Sequence, residues 1–471
     1  MALTFKNGIH VAEHKNTKKV QIEYMPAPAK VTIPMLQHIG VPCTPIVKPG
    51  DKVDRGQKIG DVESGLGCPV HASVSGKVSL IKEITNPNGS RVKCVVIEND
   101  FENRLSPEIV PFSKKLNDTT FDEIVKIIRD AGISGMGGAT FPSYAKLESA
   151  LGKVEHLFIN CAECEPYVTV NHRLLLENPA AVINGTKILL KALGLRQAVI
   201  AIEDNKLDAV NKLEDLINDS DLIKVKVLKT KYPQGDETQL VYALIGKEVP
   251  AGKLPIDIGC VVFNPETCAA VFNAFLKGMP LIERIVTVDG DCIKKPKNVL
   301  VPIGTSYRDL FEFCGGLKKD PAKIINGGPM MGVAQWDIDA VITKGTSGVL
   351  AFSKHAIREY EQEPVCIRCG KCVDGCPKRL VPTYLALFSK NGNLEMCEKY
   401  DVLSCVECGA CSYVCPGNVL IVQHIRVAKA KILENRRAME QARKDSAVKE
   451  EVKPDDRPVE QIEEPVQETE N

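Results

Sequence analysis

Apolar and polar residues alternate through the first hundred positions, and Pro-Gly or a lone Gly interrupts the alternation at short intervals. Val47-Lys48-Pro49-Gly50-Asp51-Lys52-Val53 leads to Arg55-Gly56-Gln57-Lys58-Ile59-Gly60, and a second half follows from Val70 to Val78. This region is expected to form short strands and turns. From about residue 115 the period lengthens. Thr120 and Glu123 form a capping box that starts a helix with Ile124, Ile127 and Ile128 on its apolar face. His156–Asn160 and Ala198–Glu203 read as buried strands, 177–193 and 206–218 as the helices between strands, and Val225 and Val227 as part of a further strand. This βα alternation argues for an open, Rossmann-like α/β sheet. Residues 284–320 read as a small α+β unit: strands Ile285–Val288 and Val299–Val301, and a helix from Ser306 to Phe313. A last helix carries Ile421, Ile425 and Ile432 on one face.

Composition narrows the class without naming a function. The chain has 471 residues, is 44% hydrophobic and 25% charged, and carries zero formal net charge. That suits a globular protein of several domains and gives no pointer to nucleic acid. The first fifteen residues lack the apolar core of a signal peptide, and no run approaches the 18 apolar residues of a membrane span. Between Leu420 and Lys444 there are seven Lys/Arg against two Asp/Glu, which suits either an anionic membrane surface or a solvated helix with one packed stripe. From Lys449 onward, nine acidic residues and three prolines with no aromatic predict a disordered tail.

The chain has eighteen cysteines, and their placement decides more. Cys366, Cys369, Cys372 and Cys376 precede Pro377; Cys405, Cys408, Cys411 and Cys415 precede Pro416. Each block reads C-x2-C-x2-C-x3-C-P, and each member of the second lies 39 residues after its counterpart. This spacing places three thiolates of one loop on a [4Fe–4S] cluster, while the fourth cysteine ligates the other cluster. The expected sets are Cys366, Cys369, Cys372 and Cys415 for one cluster, and Cys405, Cys408, Cys411 and Cys376 for the other. Zinc knuckles would need paired C-x2-C units across a longer loop, which this pattern fits poorly. The other ten cysteines read as small buried apolar residues, including the Cys161/Cys164 pair. Thiolates kept for clusters imply a reducing, cytosolic or cytosol-facing environment.

Four further segments carry candidate chemistry. Gly135-Met136-Gly137-Gly138-Ala139-Thr140-Phe141-Pro142, with Lys146 downstream, permits close backbone approach to a phosphate or ring. It follows a helix rather than the first strand, so it is not the dinucleotide fingerprint. Asn160-Cys161-Ala162-Glu163-Cys164-Glu165-Pro166 ends a predicted strand, where open α/β sheets bind ligands. Tyr232-Pro233-Gln234-Gly235-Asp236-Glu237-Thr238 enters a helix whose N-terminus suits an anion or a polar ring edge. Val262-Phe263-Asn264-Pro265-Glu266-Thr267 is the fourth. Taken alone, Glu163, Glu165 and Glu237 could equally be helix-end or surface carboxylates.

Together and in this order, the four segments resemble the FMN and NADH site of the flavoprotein subunit of respiratory complex I. The N-terminal unit resembles the barrel-sandwich hybrid of biotinyl and lipoyl domains, without their Met-Lys-Met-type hairpin, so a structural docking role is expected. The whole order resembles the RnfC family, the NADH-facing component of Rnf ion-translocating electron-transport complexes. The resemblance implies a multidomain α/β protein: a barrel-sandwich hybrid over 1–112, an FMN/NADH domain over 113–275, a β-grasp module over 276–335, an α-helical two-cluster ferredoxin domain over 336–425, a basic helix over 426–448 and an acidic tail over 449–471. It also implies site roles. Gly135, Gly137 and Gly138 would lie against FMN, with Lys146 reaching its phosphate. Asn160 would bond the flavin and Asn264 the ribityl or phosphate end. Glu163 belongs to the same cofactor-binding set, Glu165 would sit near the nicotinamide, and Tyr232, Gly235, Asp236 and Glu237 would line the other side. Phe141 could stack on the adenine. Met136 and Ala162 depart from the complex I pattern, which has arginine and aspartate there, and the complex I flavoprotein carries one C-terminal cluster rather than two.

The implied cofactors are FMN, NAD(H) and two [4Fe–4S] clusters. NADH delivers two electrons as a hydride and a cluster takes one, so a flavin must stand between them. The implied place is peripheral, on the cytoplasmic face of the membrane. There the chain would exchange electrons with other subunits, and indirectly with ferredoxin. Two other readings share parts of the pattern: a corrin reductase, and a non-catalytic scaffold that only relays electrons.

Overall fold

A computed structural model describes residues 3–86, 89–218, 222–357 and 364–451, with side chains described as far as Arg443. Residues 452–471, most of the acidic tail expected to be disordered, lie outside the described residues. The N-terminal unit is a sandwich of two small antiparallel sheets. Lys30–Pro34, Arg91–Asn99, Gly76–Thr85 and Lys52–Val53 form one; Thr44–Pro45, Lys58–Asp61 and Val70–His71 form the other. Alternation sends Val31, Ile33, Ile59, Val78, Val95 and Ile97 into the shared core.

The α/β domain contains a four-stranded sheet in the order Ile223–Leu228, Ala198–Glu203, His156–Cys161, Cys260–Phe263, all parallel. All four strands therefore end on one edge, where open α/β sheets hold ligands. Thr120 and Glu123 make the expected reciprocal cap on the helix Phe121–Asp130, which buries Ile124 and Ile128. The single helix expected over 177–193 is two, Val170–Glu177 and Pro179–Leu193. Pro179 forces the residue before it out of helical geometry, and Asn178 (φ −139°, ψ 53°) turns its side chain to cap the Ala181 amide.

A six-stranded mixed sheet follows, in the order Ile22–Tyr24, Lys297–Pro302, Glu283–Asp289, Gly348–Phe352, Lys323–Asn326, Val333–Gln335. It extends past residue 335, because Gly348–Phe352 is its most buried strand and pairs with two neighbours. Its first strand comes from the far N-terminus, so residues 3–24 act as a strap across several units. Leu3 bridges to Leu228 and Ile9 to Tyr232. The Asn7 amide bonds the Cys376 carbonyl, and the Thr17 hydroxyl bonds that of Thr169.

In the C-terminal domain each cysteine block leads into a one-turn helix, Lys371–Asp374 or Ala410–Tyr413. The 39-residue repeat is a backbone repeat as well. Arg368 and Glu407 have φ 58° and 55°, and Gly370 and Gly409 have φ 78° and 76°. The helix Ile421–Glu451 buries Ile421, Ile425, Ala428 and Ile432 against Leu385, Cys397 and Val402. Several of its basic residues face carboxylates of the same domain: Arg426 and Lys429 hold Glu407, and Arg436 holds Glu398. No helix among the described residues is long and apolar enough to cross a membrane.

Candidate functional site

Strand ends bring three of the four segments together. Asn160, at the end of its strand, donates to the Gly235 carbonyl at 2.8 Å and accepts from the Ala162 amide. Gly235 is packed so closely that an added Cβ would lie 2.6 Å from the Ala162 carbonyl. Lys146 spans the site: its Nζ meets Glu237 Oε1 at 2.8 Å and the Val262 carbonyl at 2.6 Å, over the Phe263 ring. Asn264 caps the helix Pro265–Lys277 through the Glu266 amide, and a side chain at Gly137 would collide with the Asn264 amide group. Asp236 caps the helix Glu237–Ile245 through the Thr238 and Gln239 amides.

The Gly-rich loop closes on itself through the Gly135 amide and the Phe141 carbonyl, at 2.9 Å. Gly138 lies exposed on its outer face, and a Cβ there would meet nothing within 4 Å. Phe141 is half-buried beside it. This is a cradle of glycine backbone bordered by one ammonium and two amides, a donor set that fits a flavin mononucleotide with its anionic phosphate.

The remaining predicted residues point elsewhere. Glu163 is buried and accepts from the Asn171 and His172 amides, so it caps the helix Val170–Glu177. Desolvation raises its pKa, against the pull of Lys15 and Lys206. Glu165 accepts from the amides of Met330 (3.0 Å) and Met331 (2.8 Å), in the Gly327–Gly332 loop of the six-stranded sheet domain. Burial lifts it to about 7. Tyr232, 1% exposed, donates to the Cys408 carbonyl at 2.6 Å.

The sequence reading missed Lys15. It is a lone lysine in the strap, and no motif marks it. Its Nζ donates to the carbonyls of Glu163, Glu165 and Val168 at 2.9, 2.7 and 2.5 Å, so it stiffens the whole Asn160–Pro166 segment.

Around the second block, Cys376 joins Cys405, Cys408 and Cys411 in lining one cavity, closed by Pro377, Leu380 and Ile425. At the first block, the thiols of Cys415 and Cys366 lie close enough to Cys372 to raise its pKa. Equivalent amides point at equivalent sulfurs, each at 3.4 Å: Arg368 to Cys366 and Glu407 to Cys405, Leu380 to Cys376 and Val419 to Cys415. Such N–H···S bonds stabilise thiolate charge and tune cluster potential. Among the described residues no three His, Cys, Asp or Glu side chains gather for a single metal ion. The four cysteines surround a volume instead, as a cubane needs. Burial raises the second-block thiols, Cys408 to about 12, so they would hold protons unless bound iron displaced them. Cys366 and Cys369 are exposed, whereas Cys408 and Cys411 are buried. Of the other ten cysteines, nine are buried and Cys164 is half-buried.

The fold and donor sets define a flavin- and iron–sulfur-dependent electron-transfer protein. Residues 3–102 match the RnfC barrel sandwich hybrid domain, 128–273 the Nuo51 FMN-binding domain, 285–334 the SLBB domain and 365–419 the 4Fe-4S dicluster domain. The chain is 43% identical to the RnfC-type component of the Na(+)-translocating ferredoxin:NAD(+) oxidoreductase complex of Acetobacterium woodii, covering 92% of this chain and 98% of that one. It is also 43% identical to the corresponding component of the proton-translocating ferredoxin:NAD(+) oxidoreductase complex of Clostridium ljungdahlii, covering 93% and 96%. It is 37% identical to the counterpart in the ion-translocating oxidoreductase complex of Rhodobacter capsulatus, covering 92% and 84%. The chain belongs to the RnfC family of ion-translocating oxidoreductase complexes.

Proposed function

We propose that this chain is the NADH-facing, peripheral subunit of a membrane-bound ferredoxin:NAD+ oxidoreductase. It exchanges electrons between NAD(H), FMN and two [4Fe–4S] clusters, and partner subunits couple that flow to ion transport. The observation that carries this reading is the 2.6 Å bond from Tyr232 to the Cys408 carbonyl, which fastens the candidate flavin loop to a cluster loop.

Bound FMN would supply the conversion between a hydride pair and single electrons. The chain's own residues position and enclose. Gly135, Gly137 and Gly138 admit the ring or phosphate, Lys146 and Asn264 hold the polar end, and Asn160 and Gly235 fix the loop opposite. Asp236 and Glu237 open the helix beyond it. Glu165 and Phe141 border the nicotinamide and adenine ends of NADH. Glu163 serves this set from behind, by fixing the helix after the Asn160–Pro166 segment.

Cys405, Cys408, Cys411 and Cys376 would hold the cluster nearer the flavin. Cys366, Cys369, Cys372 and Cys415 would hold the one nearer solvent and the next subunit. The exposed Cys366 and Cys369 support that order. Thiols reserved for clusters suit attachment to the reducing, cytoplasmic face. Anaerobic protein with FMN and both clusters restored should oxidise NADH with an artificial one-electron acceptor. Failure to do so, with cofactors shown to be bound, would sink this reading.

A further inference from the structure

Two buried cations of the six-stranded sheet domain reach out of their own domain and end on the Gly-rich loop. Arg284, on the strand Glu283–Asp289, is fully buried. Its guanidinium pairs with Glu266 at 2.7 Å, donates to the Lys344 carbonyl, and donates to the Met136 carbonyl at 3.3 Å. Lys344 is also fully buried, and its Nζ donates to the Gly132 and Pro69 carbonyls at 2.7 Å each. The Met136 amide donates to the Thr267 hydroxyl at 3.1 Å. Both the amide and the carbonyl of Met136, and the Gly132 carbonyl ahead of it, are therefore tied from outside the loop.

The arrangement is costly to assemble. Burying a charge is unfavourable unless hydrogen bonds satisfy it. Among the described residues Lys344 has no carboxylate at ion-pair distance, so backbone carbonyls serve it instead. Arg284 and Glu266 cancel, which leaves one net positive charge behind the loop. A lone guanidinium fork can hold a carboxylate and neighbouring carbonyls in fixed directions, which an ammonium cannot.

We propose that Arg284 and Lys344 are positioning residues for flavin binding. On this view the six-stranded sheet domain serves as the backing that fixes residues 132–138 in the shape that accepts FMN. The inference rests on the flavin reading of the Gly-rich loop. Glycine gives that loop its close approach but also its freedom. A loop with two exposed glycines at its tip, Gly137 and Gly138, needs external ties if binding is not to spend affinity on ordering it. Thr267 secures the amide side, Arg284 the carbonyl side and Lys344 the entrance.

The test uses the full chain with its clusters. The variants are the charge-neutral pair Arg284→Gln/Glu266→Gln, the single Lys344→Met, and Thr267→Val, which removes one tie without touching a charge. Two quantities are read: amide hydrogen exchange of 132–141 in flavin-free protein, and FMN affinity by quenching of flavin fluorescence. Exchange of 132–141 should rise in all three, and FMN affinity should fall about ten-fold or more, the loss of roughly one buried hydrogen bond to a charged group. Iron content and exchange of the helix Pro179–Leu193 should stay at the parent's values. Arg284→Lys should rescue the ion pair but not the FMN affinity. Unchanged exchange in variants that keep their iron would overturn the clamp. Raised exchange with unchanged FMN affinity would overturn its link to flavin. A parent chain that binds no FMN would instead remove the flavin reading itself, while the exchange result would still stand or fall alone. If the Arg284/Glu266 pair variant fails to fold, Thr267→Val and Lys344→Met decide the matter.

Discussion

The hydroxyl of Tyr232 donates to the backbone carbonyl of Cys408 across 176 residues of sequence, at 2.6 Å and in a fully buried position. Around this bond pack Ile9 of the strap, Met330 of the six-stranded sheet domain and Ala410 of the cluster domain. Four parts of the chain thus meet where electrons would pass from flavin to cluster. Tyr232→Phe would leave the Cys408 carbonyl buried without a partner, at a cost of about 1–3 kcal/mol. The variant should keep its FMN but melt at a lower temperature, and NADH should bleach its clusters more slowly in stopped flow. Unchanged bleaching and melting would show that the bond is incidental.

Cys376 sits with the opposite block of cysteines. Cys376→Ser should therefore destroy the cluster held by Cys405, Cys408 and Cys411, and Cys415→Ser the cluster held by Cys366, Cys369 and Cys372. Each variant should retain about half of the parent's iron and one cluster's EPR signal. Loss of the cluster of its own block in either variant would refute the crossed pairing.

Gly138 offers a test of where the flavin lies, because a methyl there meets no protein atom within 4 Å. Gly138→Ala should melt with the parent in flavin-free form. If FMN lies against this glycine, the added methyl overpacks the contact by about 1–3 kcal/mol, a loss of roughly ten-fold or more in affinity. Wild-type affinity would place the flavin elsewhere.

Burial lifts Glu165 to about 7, although the Met330 and Met331 amides pull it down. An unfolded glutamate titrates near ~4.3. The folded state therefore binds the proton more tightly, so the stability from this group is full at acid pH, declines as pH rises through the window up to about 7, and is level above it. Melting temperature measured from about pH 5 to 8 should fall more steeply in the parent than in Glu165→Gln, by roughly 2–4 °C for each kcal/mol of linkage. Parallel curves would show that Glu165 does not titrate there.

Lys15 ties the strap to three carbonyls of the Asn160–Pro166 segment and its continuation. Lys15→Met removes the ammonium while Glu163 stays buried, and losing one partner of a buried charged group costs about 3–5 kcal/mol. The expected outcome is a lower melting temperature and a raised KM for NADH with cluster content kept. A variant with the parent's melting temperature and KM would show the strap to be dispensable.

Local rules of the chain were legible in the sequence. The capping box at Thr120, the parallel strands at 156–161 and 198–203, the sandwich of the first hundred residues and the twin cysteine blocks all follow from spacing and periodicity, because each depends on neighbours within a few residues. The split at Pro179 is equally local, yet the apolar periodicity on either side of it reads as one helix. What folding decided is the set of contacts between distant segments. Lys15, Arg284 and Lys344 carry no motif; each becomes informative only when burial strips its charge of water and forces it onto backbone carbonyls of another unit. The carboxylates divide the same way. One short segment supplies Glu163 and Glu165, yet tertiary packing turns the first to a helix end and the second to the Met330 loop. Spacing along the chain fixes which atoms can share a cluster, and desolvation across domain boundaries fixes which charges hold the site in shape.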